Sequence, residues 1–104
     1  MTTEDSVPRF SLDSFSLKGK VAVVSGGSDG IGRMIAHGFS DAGAGVVIAA
    51  RTQETIDSTV AEIVAKGGQA LGVSTDATSV ESVGRMRDAA LERFGQIDIL
   101  ANIV

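Results

Sequence analysis

Three observations in this 104-residue chain predict an α/β fold built on a parallel sheet. Short apolar, β-branched runs recur along it, at KVAVVSGG, VVIAA, QALGVST and IDILANIV. Between them lie longer segments whose apolar side chains return every three or four positions, and glycines or capping residues stand at their boundaries. Runs that are apolar throughout belong to strands covered on both faces, as in parallel sheets. Strands that alternate with helices, β-α-β-α-β-α-β, close into such a sheet by right-handed crossovers.

Each element has its own signal. The first strand is Val21 to Ser25, cut off by Gly26 and Gly27. From Ile31 onward, Ile31, Met34, Ile35, Gly38, Phe39 and Ala42 mark one face of a helix. Gly43 and Gly45 end that helix, and Val46 to Ala50 repeats the buried-strand pattern. Thr52 suits the cap of the second helix, with Gln53 and Glu54 in its first turn. Its inner stripe is Ile56, Thr59, Val60, Ile63 and Val64, and Lys66 with Gly67 makes a stop. After the third strand, TSVE has the spacing of a capping box in which Thr78 and Glu81 satisfy each other's backbone donors. Val80, Val83, Met86, Ala90 and Phe94 form the third inner stripe, which Gly95 closes. IDILANIV, Ile97 to Val104, is the fourth strand.

The length allows one small domain, able to bury roughly two-thirds of its unfolded surface. Residues 18–104 form that domain, and the polar residues 1–17 read as a flexible tail without the basic and apolar regions of a signal peptide. The net charge of −4 offers no basic stripe for a phosphate backbone, so nucleic acid is not an expected partner. No 18 apolar residues run together, which predicts no spanning helix and no membrane partner. The absence of cysteine fits a reducing cytoplasm, the expected location. With no cysteine and one histidine, no metal site is expected. His37 reads as a surface or packing residue, and Arg85, Arg87 and Arg93 as a solvated face.

The most informative stretch is SGGSDGIG, Ser25 to Gly32, where the first strand passes into the first helix. Gly26 and Gly27 permit a turn that a Cβ would block, while Gly30 and Gly32 let backbone amides approach a ligand and the helix pack on the strand. The amino terminus of the following helix directs free N–H groups at an anion, most naturally a pyrophosphate. A nucleoside-triphosphate loop is excluded because no Gly-Lys-Ser/Thr follows. A methyl-donor-binding loop stands at the same topological position, but its usual acidic first residue is absent.

The spacing of Gly26, Gly30 and Gly32 resembles the Thr-Gly-x-x-x-Gly-x-Gly motif of the short-chain dehydrogenase/reductase family, with Ser25 in place of the threonine. The flanking LKGKVAVVSGG and GIGRMIAHGFSDAGAGVVIAAR, DAT at Asp76 and FGQIDILAN resemble the same family, from about Leu17 to Asn102. The resemblance implies a Rossmann-type doubly wound parallel sheet in the order 3-2-1-4, truncated after the fourth strand. By it, Gly26, Ser28, Gly30, Ile31 and Gly32 cradle the phosphates of a dinucleotide cofactor. The resemblance implies Asp29 as a further contact in the same loop, at a place where phosphate-preferring relatives often carry a basic residue. Asp76 would lie over the adenine amino group, and Asn102 would stand at the first Asn of the family's Asn-Asn-Ala-Gly, from which Ile103 and Val104 depart. An acid at the end of the second strand would bond the ribose 2′-hydroxyl. Ala50 and Arg51 stand there instead, and Arg51 suits a bidentate pair with a 2′-phosphate, which favours NADP(H) over NAD(H).

The family's catalytic serine, tyrosine and lysine lie beyond the Asn-Asn-Ala-Gly motif, and this chain has no tyrosine. No catalytic residue is therefore assigned. The resemblance implies the amino-terminal half of a reductase, cut short, whose open apolar strand edge invites self-association or pairing with another chain. Two functions remain. One is the cofactor-binding portion of an oxidoreductase that moves a hydride between NADP(H) and a carbonyl or alcohol, and the other is a non-catalytic remnant that binds cofactor or pairs with a subunit.

Overall fold

A computed structural model describes residues 16–26 and 28–103. Most of the expected tail, together with Gly27 and Val104, lies outside the described residues. The elements alternate as expected: β1 (Val21–Ser25), α1 (Gly30–Asp41), β2 (Gly45–Ala50), α2 (Gln53–Ala65), β3 (Ala70–Ser74), α3 (Val80–Phe94) and β4 (Ile99–Asn102). All strand pairs are parallel, and the sheet runs β3-β2-β1-β4. This is the doubly wound, Rossmann-type order. Among the described residues no helix is long and apolar enough to cross a membrane.

Alternation along the strands divides the core into two layers. Val21, Val23, Val47 and Ala49 point to the face covered by Met86, Ala90 and Phe94 of α3. Val24, Val46 and Ile48 point to the other face, against Ala36 of α1 and Ile56 and Ile63 of α2. Helices on both faces explain why the strand segments are apolar without a break.

The helix faces differ from the sequence expectation in particular ways. In α1, Ile31 and Met34 are 68% and 72% exposed, while Gly32 and Ala36 are buried, with Ile35 and Phe39 packed beside them. Small side chains let the helix axis approach the sheet closely, so shape rather than hydrophobicity sets which stripe faces inward. In α2, Ile56, Thr59 and Ile63 are buried as expected, but Val64 turns to solvent. In α3 the cap is Ser79, whose hydroxyl accepts from the Ser82 N–H at 3.2 Å, and the Thr78 hydroxyl instead donates to Asp76 Oδ1 at 2.6 Å. Val80, 89% exposed, and Val83 leave the inner stripe, and Ser82 joins Met86 and Ala90 inside. Ser82 is held there because its hydroxyl accepts from the Asp76 N–H at 2.8 Å.

The ends of elements follow local backbone geometry. Gly43 takes φ +104 after the Ala42 C-cap, while Gly45 begins β2 rather than ending α1. Thr52 caps α2 without a side-chain bond, and Gly67 and Gly95 take the left-handed conformation that ends α2 and α3. β4 is shorter than Ile97 to Val104, because regular pairing with β1 covers Ile99 to Asn102.

One side chain fixes how β4 enters the sheet. Asp98 Oδ2 accepts from the Val21 N–H at 2.8 Å and from Gln96 Nε2 at 2.6 Å. The Val21 bond, then the Gln96 bond, hold the Asp98 carboxyl below its ordinary value. In that window the native state binds fewer protons than the unfolded chain, so the contribution is present at neutral pH and lost as the pH falls through the lowered value. Asp98→Ala is expected to lower the thermal midpoint at pH 7, with the gap to wild type narrowing below about pH 4. A gap that stays constant from pH 7 to pH 3 would show that the carboxylate charge plays no part.

Candidate functional site

The loops at the carboxyl ends of the strands enclose an open cleft of about 370 Å³. Ser25 and Gly26 at the end of β1, Ala50 and Arg51 at the end of β2, and Asn102 and Ile103 at the end of β4 line it. From β1 the chain winds outward through β2 and β3, then returns to place β4 on the other side of β1. The cleft sits at that reversal, the crevice in which open α/β sheets take their ligands.

Gly26 forms the floor. It has φ +81, and its N–H donates to Ala49 O at 2.7 Å. A Cβ on it would stand 2.7 Å from Ile103 O, so the backbone of β4's end occupies the space a side chain would need. Beyond the turn, Asp29 is the N-cap of α1 in an extended conformation and makes no side-chain cap bond. The first bond of the helix is Arg33 N–H to Asp29 O at 3.2 Å, which leaves the N–H groups of Gly30, Ile31 and Gly32 without an intrahelical acceptor. No acidic residue lies in that first turn. Gly30 has φ +55 and open space around it, whereas Gly32 is buried. The Ser28 carbonyl is held from behind, accepting from Thr59 Oγ1 of α2 at 3.0 Å.

The opposite rim carries charge. Arg51 reaches Asp76 across 3.1 Å, both exposed, and its carbonyl accepts from Ser74 Oγ at 3.2 Å. Asp76 Oδ1 also accepts from the Thr78 hydroxyl and the Thr78 N–H. Those two bonds, and after them Arg51, hold the Asp76 carboxyl below its ordinary value, so it is an anion at neutral pH. Asn102 closes β4 opposite Ser25 in register.

The structure thus gathers Gly26, Arg51 and Asn102 around one cleft, with Asp76 at its rim through Arg51. Ser28, Asp29, Gly30, Ile31 and Gly32 continue from Gly26 into α1 and do not line the cleft itself. His37 lies away from it, with Nε2 2.9 Å from Glu62 Oε1 on the outer side of α1 and α2, where Arg33 pairs with the same carboxylate. Sequence reasoning did not anticipate the pairing of Arg51 with Asp76, nor two bonds made by helix hydroxyls, Thr59 to Ser28 and Ser82 to Asp76. The only sequence signal of those two bonds is a hydroxyl residue set in a helix face that packs inward.

A family model for short chain dehydrogenases matches residues 20–104. An uncharacterized oxidoreductase of Mycobacterium tuberculosis is 41% identical over 93 residues, which cover 89% of this chain and 35% of that protein. The 7alpha-hydroxysteroid dehydrogenase of Escherichia coli K12 is 38% identical over 93 residues, covering 89% of this chain and 36% of that protein. A crystal structure of a hydroxysteroid dehydrogenase from Escherichia coli superposes with TM-score 0.86 at 37% identity, over 88% of this chain and 39% of that one. A 7alpha-hydroxysteroid dehydrogenase complexed with NADH and 7-oxo glycochenodeoxycholic acid also gives 0.86 at 37% identity, over 88% of this chain and 36% of that one. The chain spans about a third of the length of the curated relatives it matches.

Proposed function

Because the chain belongs to the short-chain dehydrogenase family, whose members are oxidoreductases that bind nicotinamide dinucleotides, we propose that its cleft takes such a dinucleotide and prefers NADP(H) to NAD(H). The observation that carries the reading is the uncapped amino terminus of α1 behind the left-handed turn at Gly26. The Asp29 side chain at the N-cap makes no bond to the backbone donors there, and no acidic residue lies in the first turn beyond it, which suits an anionic ligand. A cradle in which a Cβ at Gly26 would collide with backbone fits the close approach that a pyrophosphate requires.

On this reading Gly26, Ser28, Asp29, Gly30, Ile31 and Gly32 supply the phosphate-binding backbone. Arg51 meets the 2′-phosphate, Asp76 the adenine amino group, and Asn102 shapes the cleft between them. When bound, the dinucleotide would supply or accept a hydride, the family's exchange being with a carbonyl or an alcohol. The chain's own residues hold and orient it. No catalytic group is assigned among them, since the chain contains no tyrosine.

Preference for the phosphorylated cofactor rests on Arg51, whose guanidinium is exposed at the rim and carries one carboxylate partner, leaving donors for a second anion. Titration with NADPH and NADH, followed by nucleotide fluorescence, tests both levels of the proposal. Saturable binding with NADPH the tighter ligand is expected. Arg51→Ala is expected to weaken NADPH about tenfold, the loss of one charge-assisted contact, and to leave NADH nearly unchanged. Equal affinity of the wild-type chain for both nucleotides would sink the preference for NADP(H), and binding of neither would sink the cofactor reading.

A further inference from the structure

Thr59 is fully buried in the stripe of α2 that also carries Ile56 and Ile63. A hydroxyl in such surroundings needs an acceptor, and two lie within reach. One is Thr55 O at 2.9 Å, a bond back along the same helix. That bond alone would satisfy the group, in the ordinary manner of a helical threonine. The other is Ser28 O at 3.0 Å, 31 residues earlier in the chain and on the glycine loop between β1 and α1. The hydroxyl has one proton, shared between the two carbonyls.

The second bond has a geometric consequence for the loop. In a planar trans peptide the carbonyl of Ser28 and the N–H of Asp29 point in opposite directions. Drawing the carbonyl toward α2 turns the Asp29 N–H away from α2, next in the chain to the N–H groups of Gly30, Ile31 and Gly32, which have no acceptor within the helix. If that peptide flipped, a carbonyl oxygen would replace a donor at the mouth of the loop and repel an anion. We propose that Thr59 is a positioning residue for the cofactor loop, fixing the Ser28–Asp29 peptide so that its N–H serves the pyrophosphate. The inference rests on the loop being the phosphate-binding element proposed above.

Two substitutions separate this role from a packing role. Thr59→Val keeps the shape and removes the hydroxyl, so packing is retained and the thermal midpoint is expected to fall only by the loss of the one bond to the Ser28 carbonyl. Its affinity for NADPH and for NADH is expected to fall alike, by about three- to tenfold, because the pyrophosphate is common to both. Thr59→Ser keeps the hydroxyl and loses a core methyl, so it is expected to melt earlier yet bind as wild type does. Wild-type affinity in Thr59→Val overturns the proposal, as does a Thr59→Ser variant that binds as weakly as Thr59→Val. The carbonyl carbon-13 resonance of Ser28 without nucleotide distinguishes failure here from failure of the cofactor reading, because that carbonyl is the acceptor of the Thr59 hydroxyl. A shift of that resonance in Thr59→Val but not in Thr59→Ser is expected even if no nucleotide binds, and an unmoved resonance overturns the proposal on its own.

Discussion

Gly26→Ala is expected to lower the thermal midpoint by roughly 10–20 °C and to weaken nucleotide binding more than tenfold, the stability loss being about 2–3 kcal/mol. Two costs combine. An alanine at φ +81 stands in the left-handed region, and its Cβ meets Ile103 O at 2.7 Å. Neither partner has room to yield. The Gly26 N–H is tied to Ala49 O at 2.7 Å, and the Ile103 N–H to Ser25 O at 2.9 Å, so the turn and the end of β4 are each fixed to a strand. Relief comes only by parting β4 from the loop, which opens the cleft floor. Gly30→Ala is the control: its φ of +55 carries strain, but nothing lies within 4 Å of the added carbon, so about 1 kcal/mol is expected. Thermal denaturation of the two variants side by side checks the argument, and equal midpoints would show that the contact with Ile103 has no weight.

The second large effect is expected at Gly72, in the middle of β3, opposite Ile48 in the parallel register. A Cβ there would overlap the Ile56 Cγ2 methyl and stand 3.1 Å from Val60 Cγ2. Ile56 is fully buried among Ile48 and Ile63 and has no free rotamer space into which to retreat. Gly72→Val therefore pushes α2 off β3 and is expected to cost about 3 kcal/mol, the upper end of overpacking. Gly45 looks similar, with Phe94 Cε1 2.8 Å from its virtual Cβ. Phe94, however, is a half-buried side chain at the edge of its layer and can swing aside, so Gly45→Ala should cost clearly less. Urea titration ranks the two, and a Gly72→Val chain as stable as Gly45→Ala would contradict the packing described.

Elements and their order were legible because each strand is apolar without a break and each boundary carries a glycine or a cap. Helix faces were less so. Periodicity gives the spacing of an inner stripe, yet in α1 two stripes share that spacing, and the one with Gly32 and Ala36 faces inward because it permits closer approach. In α3, Ser82 displaces Val80 from the interior by bonding the Asp76 N–H, a preference no hydropathy pattern contains. Within the site, Gly26 could be picked out from the strand-to-helix glycine turn and Arg51 from its place at the end of the second strand, whereas Asn102 came only through the resemblance of FGQIDILAN to the family's motif. The pairing of Arg51 with Asp76 and of Thr59 with Ser28 could not be picked out, since each joins residues 25 and 31 positions apart through side-chain reach alone.

The two ends of the cleft differ in how freely they can change over evolutionary time. Gly26 has φ +81 and the Ile103 backbone where a Cβ would stand, so nearly every replacement there is paid for in folding before any effect on binding is felt. Arg51 stands 71% exposed, and its partners Asp76 and Ser74 lie at the surface too. On the reading proposed here, the residue that chooses between two cofactors is among the cheapest in the chain to replace. Cofactor choice can therefore drift, or be redirected by design, without passing through unstable intermediates, while the phosphate loop that every choice shares stays fixed.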